Sequence, residues 1–141
     1  MGLRIDILTL FPELFEAFAT TSIVGRAADC GVASVHATNI RDFALDRYGS
    51  VDDSPFGGGV GMVLMCQPIF DAVAHVQALA DEPAEVILMT PQGQPMTQSL
   101  VSELAAKPRL MLVAGHYEGF DERIRSLADR EVSVGDFVLS G

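Results

Sequence analysis

The sequence predicts an α/β domain, a mostly parallel sheet flanked by helices, and three observations carry that reading. Short aliphatic runs of strand length recur along the chain and alternate with stretches whose apolar residues repeat at helical spacing. Alternation of this kind is the mark of βα units, in which helices cover a parallel sheet. The chain has 141 residues, 49% of them hydrophobic, and a mean hydropathy of +0.31. That is enough for one core burying about two thirds of the unfolded surface, with no need of disulfides or a structural metal.

Residues 3–9 form the first aliphatic run and predict a strand. Pro12 then suits the first turn of a helix whose Leu14, Phe15 and Phe18 share a face. A second helix over residues 23–30 stops at Gly31, a left-handed C-terminal cap, and Val32, Val35 and Ala37 suggest the next strand. From residue 46 to 61 regular patterning ceases, and DRYGSVDDSPFGGGVG carries five glycines and a proline. A loop of that length inside a compact domain tends to be functional.

Helical spacing returns over residues 67–80, with Pro68 near the start and Ile69, Phe70, Val73, Val76 and Leu79 as the apolar stripe. Residues 85–89 read as a strand and TPQGQP, 90–95, as a turn-rich connection. Leu100, Val101 and Leu104 mark a helix that ends before Pro108, and residues 109–114 are the next strand. After GHYEG come a short charged helix over 121–128 and extended pieces at 131–134 and 137–139. In parallel sheets ligands sit beyond the carboxyl ends of the strands, which singles out the segments at Thr90, Gly115 and Gly135.

Nine Lys and Arg against 19 Asp and Glu give a net charge of −10, the wrong sign for a general nucleic-acid binder. No Lys or Arg occurs from Tyr48 to Ala106, and five fall between Lys107 and Arg130, so a polyanion would have to meet a local basic patch. Cys30 and Cys66 form no CxxC pair and have no His at ligand spacing; they read as buried free thiols in a reducing cytoplasm. The first ten residues lack the pattern of a signal peptide, and no stretch is long and apolar enough to span a bilayer.

The run Gly57-Gly58-Gly59 with Gly61 permits close backbone approach to a ligand, but it fits neither the P-loop nor the dinucleotide fingerprint. Composition alone leaves it equally readable as a flexible surface loop. Asp52 and Asp53 before it could hold Mg²⁺ or accept from a base edge, although Asp-rich loops are commonly just solvated. Tyr117 and Glu118, an aromatic and an acid between glycines at a strand end, suit a nucleoside, with a helix-terminal acid as the plainer alternative. His116 has no nucleophile paired to it in sequence, His36 and His75 read as structural, and hydrolase motifs are absent.

Taken in order, IDILTLFPELF (5–15), SIVGRAADCG (22–31), NIRDFALD (39–46), VDDSPFGGGVGM (51–62), TPQGQ (90–94), GHYEGFDER (115–123) and SVGDFVLSG (133–141) resemble the bacterial tRNA (guanine-N1)-methyltransferases. The resemblance spans essentially the whole chain. It implies the SPOUT class of α/β fold, with a deep trefoil knot that is an exception to ordinary chain topology. It also implies a homodimer, association with Mg²⁺, and methyl transfer from S-adenosylmethionine to N1 of the guanosine 3′-adjacent to the tRNA anticodon. A module that binds the cofactor without chemistry, and an unrelated nucleotide-binding α/β protein, are the alternatives. The second of these explains the motifs only one at a time.

By the same resemblance the cofactor would lie against Leu88, Met89, Thr90 and Pro91, against Gly115, Tyr117 and Glu118, and within Val134, Gly135, Asp136, Phe137, Val138 and Leu139. Asp52, Asp53, Pro55 and Gly59 would meet the RNA. The family's catalytic Asp and an important Arg are expected beyond Gly141, with a C-terminal helical tRNA-binding domain absent from this chain, so residues 1–141 are expected to form the cofactor domain and no catalytic base is assigned here. Tyr48 and Gly49 depart from the family pattern, which would place a His and a basic residue there.

Overall fold

The computed structural model of the chain describes residues 2–46, 52–53, 63–115 and 119–135. Five strands form one all-parallel sheet: β1 (Leu3–Thr9), β2 (Ala33–Asn39), β5 (Glu85–Pro95), β6 (Arg109–Ala114) and β8 (Arg130–Ser133), in the spatial order β2-β1-β6-β5-β8. Helices α1 (Pro12–Ala19) and α2 (Ser22–Asp29) connect β1 to β2, and α3 (Cys66–Gln77), α4 (Gln98–Ala105) and α5 (Glu122–Arg125) precede β5, β6 and β8. A second, small sheet joins β3 (Asp52–Asp53), β4 (Val63–Leu64) and β7 (Gly119–Phe120). A 3-10 turn at Ile40–Phe43 follows β2.

Strand alternation builds two apolar layers. Val86 and Leu88 of β5 and Met111 and Val113 of β6 pack with Ile69, Ala72, Val73 and Val76 of α3 and with Ile124 of α5. Their neighbours Ile87 and Leu110 pack with Leu100 and Leu104 of α4 and Val132 of β8 on the opposite face. Helix α4 is capped by Thr97, whose hydroxyl accepts from the Leu100 amide at 3.1 Å. Gly31 ends α2 at φ +73°, the left-handed conformation that the stop signal requires.

Two charged side chains are sealed inside this frame. Asp6 on β1 and Arg109 on β6 are 0% and 1% exposed, with Arg109 Nε 3.1 Å from Asp6 Oδ2. Asp6 also accepts two bonds from Arg4, both at 3.0 Å. The remaining Arg109 donors reach the carboxyl end of α3: Nη1 donates to the carbonyls of Gln77, Ala80 and Glu82 at 3.2, 3.4 and 3.0 Å, and Nη2 donates to that of Val76. A cation at a helix C-terminus meets the negative end of the macrodipole and satisfies carbonyls that lack intrahelical partners.

Several expectations change. The 90–95 segment is not a turn: β5 continues through it to Pro95, because β8 lies alongside and accepts its pairing again after a bulge. Of the apolar residues on one face of α1, Leu14 and Phe18 are 66% and 58% exposed while Phe15 is half-buried, and the helix fully buries none of its positions. Leu79 falls past the end of α3 and is exposed. Cys30 is exposed rather than buried, and Cys66 is half-buried. Within the segment read as irregular, Asp52–Asp53 form a strand. The charged helix expected over 121–128 is a single turn, and the extended piece at 137–139 lies outside the described residues.

Asp6→Ala leaves Arg109 charged and buried without its counter-ion, and is expected to lower unfolding free energy by about 3–5 kcal/mol. Lys107→Ala, which removes an ion pair of 3.7 Å on a side chain 38% exposed, should stay within about 0.5 kcal/mol. Urea unfolding of the two variants checks the contrast, and equal losses would refute the role given to the Asp6–Arg109 pair.

Candidate ligand site at the carboxyl edge of the sheet

Because β6, β5 and β8 are adjacent and parallel, their carboxyl ends emerge together. Met89 is level with Ala114 on one side and Val132 on the other. Beyond Met89 the ladder skips: Val132 pairs again with Gln94, and Ser133 with Pro95. Residues 90–93 therefore bulge out of the sheet edge. Pro91, which has no amide hydrogen to give to a ladder, suits that position.

Thr90 is buried at 8% exposure, and its hydroxyl accepts from the Gln92 amide at 3.3 Å, folding the bulge on itself. Gly93 brings the arm back against β8. A Cβ there would stand 2.5 Å from the Val132 nitrogen and 2.6 Å from the Glu131 carbonyl carbon, so only glycine fits. Met96 then donates its amide to the Ser133 carbonyl at 2.8 Å.

The end of β8 is turned by Ser133. Its hydroxyl donates to the Gly135 carbonyl at 2.6 Å and accepts from the Gly135 amide at 3.2 Å, and the side chain is buried. This small closed turn presents Val134, 59% exposed, at the sheet edge beside the bulge. Gly115, directly after β6, is exposed at the same edge. Of the expected cofactor residues, Thr90, Pro91, Gly115, Val134 and Gly135 are thus brought to one edge. Leu88 commits its side chain to the core, and Met89 packs half-buried on the α4 side, so both can offer a ligand mainly backbone. Tyr117, Glu118, Asp136, Phe137, Val138 and Leu139 lie outside the described residues.

The small sheet ties a second segment to this edge. Asp52 and Asp53 pair antiparallel with Leu64 and Val63, which pair in parallel with Phe120 and Gly119. The two ends of the Gly-rich segment are closed together and held beside the chain that leaves β6. Pro55 and Gly59 lie outside the described residues.

Charge at the site is locally compensated. Asp121 caps α5, accepting from the Arg123 amide at 2.9 Å and from two guanidinium nitrogens of Arg123, each at 3.1 Å. The Arg123 side chain holds its carboxyl down at about 2. Burial pushes the Cys66 thiol up, and the Asp121 charge acts in the same direction, which is the reverse of an activated nucleophile. The basic residues between 107 and 130 do not make a patch: Lys107 pairs with Glu85, Arg109 with Asp6, Arg123 with Asp121, Arg125 with Glu122 and Glu131, and Arg130 with Glu85 and Glu103. Among the described residues, no group of three or more His, Cys, Asp and Glu could hold a metal ion.

Sequence reasoning missed Ser133, Gln92 and Gly93 as builders of this edge. A serine two residues before a glycine at a strand end is a signal for such a turn, but a weak one.

Comparison with known proteins adds a family. Residues 3–141 match the family described as tRNA (guanine-1)-methyltransferase TrmD. A tRNA (guanine-N(1)-)-methyltransferase of Synechococcus sp. (strain JA-2-3B'a(2-13)) is 59% identical over 140 residues, which cover 99% of this chain and 55% of the relative. One from Chloroflexus aggregans is 53% identical over 141 residues, again 99% and 55%. The crystal structure of tRNA (m1G37) methyltransferase from Aquifex aeolicus superposes with a TM-score of 0.90 at 39% identity, covering 99% of this chain and 63% of that one. The chain therefore spans little more than half the length of the curated relatives it matches.

Because the Asp121 carboxyl is depressed, its ionised cap is in place above the ordinary carboxylate value of 3.8 and is lost as pH falls toward about 2. Carboxyl-carbon NMR should find the Asp121 midpoint near the lower value, and Arg123→Gln should return it toward the upper one. An unmoved midpoint would remove Arg123 as the cause.

Proposed function

From the premise that the chain belongs to the tRNA (guanine-1)-methyltransferase family, we propose that residues 1–141 form its S-adenosylmethionine-binding domain, of the knotted SPOUT class. The whole enzyme would methylate N1 of the guanosine 3′-adjacent to the tRNA anticodon. The observation that supports the site best is the convergence of three strand ends at one edge, where two of them carry backbone turned outward by Thr90 and by Ser133. An edge with Gly115 and Gly135 at two strand ends and one exposed aliphatic side chain, Val134, fits a ligand that is part heterocycle and part amino acid.

S-adenosylmethionine supplies a methyl group already activated by its sulfonium charge, so the protein's work is alignment, exclusion of water and proton removal. Thr90, Pro91, Gly115, Val134 and Gly135 would hold the cofactor, joined by Met89 and Leu88 through backbone and by Tyr117, Glu118, Asp136, Phe137, Val138 and Leu139. The ladder from Asp52–Asp53 through β4 to β7 would hold the Gly-rich segment, with Pro55 and Gly59, against the same edge for the target base. N1 of guanine carries a proton, so a carboxylate must take it while a positive group steadies the carbonyl oxygen. We assign neither role to a residue of this chain.

The partners follow from the surface. Phe11 just before α1, Leu14 and Phe18 of α1 and Ile23 of α2 are exposed apolar side chains that a second copy would cover in a homodimer. Pairing of the basic residues leaves little free positive charge for phosphates, so tRNA affinity would come chiefly from parts of the enzyme outside the described face. No described helix is long and apolar enough to cross a membrane, and a cytoplasmic enzyme acting on tRNA, with Mg²⁺ in attendance, completes the proposal.

Calorimetric titration with S-adenosylmethionine, with S-adenosylhomocysteine as competitor, is expected to give saturable binding. Gly135→Val should weaken it at least tenfold, because the added side chain sits on the Ser133 turn, whereas His75→Val, whose ring faces Phe43 at 5.3 Å, should leave it unchanged. Absence of binding by the folded chain, or equal losses in both variants, would count against this site.

A further inference from the structure

We propose that Arg125 is a positioning residue for the cofactor pocket: it clasps the bulged arm of β5 onto β8 and so sets the separation of two pocket walls. The inference rests on the reading of the sheet edge given above, but on a residue outside the family-like segments, since GHYEGFDER ends at Arg123.

Arg125 is the last residue of α5. Its Nη2 donates to Gln92 Oε1 at 2.6 Å, across the gap from α5 to the tip of the bulge. Its Nε lies 3.7 Å from Glu131 Oε1 on β8, and Nη1 lies 3.8 Å from Glu122. The two ionic distances are too long for hydrogen bonds, and partly exposed pairs of that kind contribute little by themselves. The short bond to Gln92 is the directed contact, and the acidic pair on either side orients the guanidinium toward it.

Two further features make this a clasp rather than an incidental surface contact. Arg125 Nε is buried with no hydrogen-bond partner, so the guanidinium is held at a cost that the Gln92 bond and the flanking charges must offset. Next to Gln92, Gly93 lies directly on the Glu131–Val132 backbone, so the arm meets β8 at Glu131, the residue whose carboxylate faces Arg125. Within the bulge between Met89 and Gln94, the Gln92 amide is tied locally to the Thr90 hydroxyl, and the Gln92 side chain is tied to Arg125. Loss of the clasp would let residues 90–93 move relative to Val134 and Gly135, which face them from the end of β8. A planar fork suits this task because one guanidinium can address an amide oxygen and a carboxylate at once.

The test uses the 141-residue chain and S-adenosylmethionine, read by calorimetry and by amide hydrogen exchange. Arg125→Met keeps length and removes the fork. It should raise Kd roughly tenfold and speed exchange at the Gln92 and Gly93 amides, with Val113 in the central strand unchanged. Arg125→Lys should recover part of the affinity, since an ammonium can still donate to Gln92. In a Gln92→Ala background Arg125→Met should have no further effect.

Wild-type binding with unaltered affinity in Arg125→Met would overturn the clasp while leaving the site. Additive losses in the double variant would do the same. No binding by the folded wild-type chain would overturn the site reading, and the cofactor role of Arg125 with it. In that event unchanged exchange at Gln92 and Gly93 would also remove the clasp, and faster exchange would keep it as a structural tie alone.

Discussion

The buried pair of Asp6 and Arg109 is the constraint on which the rest of the structure hangs. It joins the central strand, β6, to its neighbour β1, and through the other nitrogens of Arg109 it fixes where α3 stops. The consequence reaches further than a single contact. The chain from the end of α3 must return to the sheet as β5, and Gln77 guides it by pairing its side-chain amide with both backbone groups of Ala84, each at 3.0 Å. Asp129 then fastens the approach to β8 by exchanging bonds with the backbone of Val86 at 2.8 Å. A buried ion pair adds little net stability compared with apolar packing, but one with its polar valences satisfied discriminates sharply against a misregistered strand or a shifted helix.

Strand order turns this rigidity into a site. β6 lies between β1 and β5, so the chain leaving β6 must pass β5 to become β8 on its far side. The three carboxyl ends that meet there come from segments far apart in sequence, and each is finished by a different device: a bulge returned by Gly93, a glycine directly after Ala114, and a serine turn at Gly135. None of these devices needs a charged side chain pointing at the ligand. Among the described residues the edge offers mainly backbone, so pKa patterns alone do not locate it.

How much of this was legible depends on how local the cause was. β6 was read to the residue, because Lys107-Pro108 and Gly115 punctuate a plain aliphatic run. Gly31 was read because a left-handed cap is a one-residue property. The arm of β5 was not, since Pro91 and Gly93 are turn residues by composition and only the neighbouring β8 makes them extended. Periodicity gathers Leu14, Phe15 and Phe18 on one face of α1, but it does not tell whether that face meets the core or another surface. The basic cluster was visible as a count, but the acids that neutralise it come from β1, α4, α5, β5 and β8, and no spacing rule links them. The knot of the resembled class is a property of chain threading, to which periodicity is blind.

Charge places a final limit on what these residues can do. With a net charge of −10 and its clustered cations each facing an acid, the chain presents a field that repels polyanions and mildly favours cations. Of the proposed ligands, S-adenosylmethionine carries a sulfonium and tRNA a phosphate at every nucleotide, so the same field would favour the one and oppose the other. At physiological ionic strength the opposition reaches only about 8 Å, enough to matter at contact but not to deny approach. A cofactor can therefore be held by an uncharged, backbone-rich edge. On the proposed reading, a tRNA would have to be drawn in by positive charge outside the described residues, with its guanosine delivered to the edge that the Asp52–Asp53 ladder adjoins.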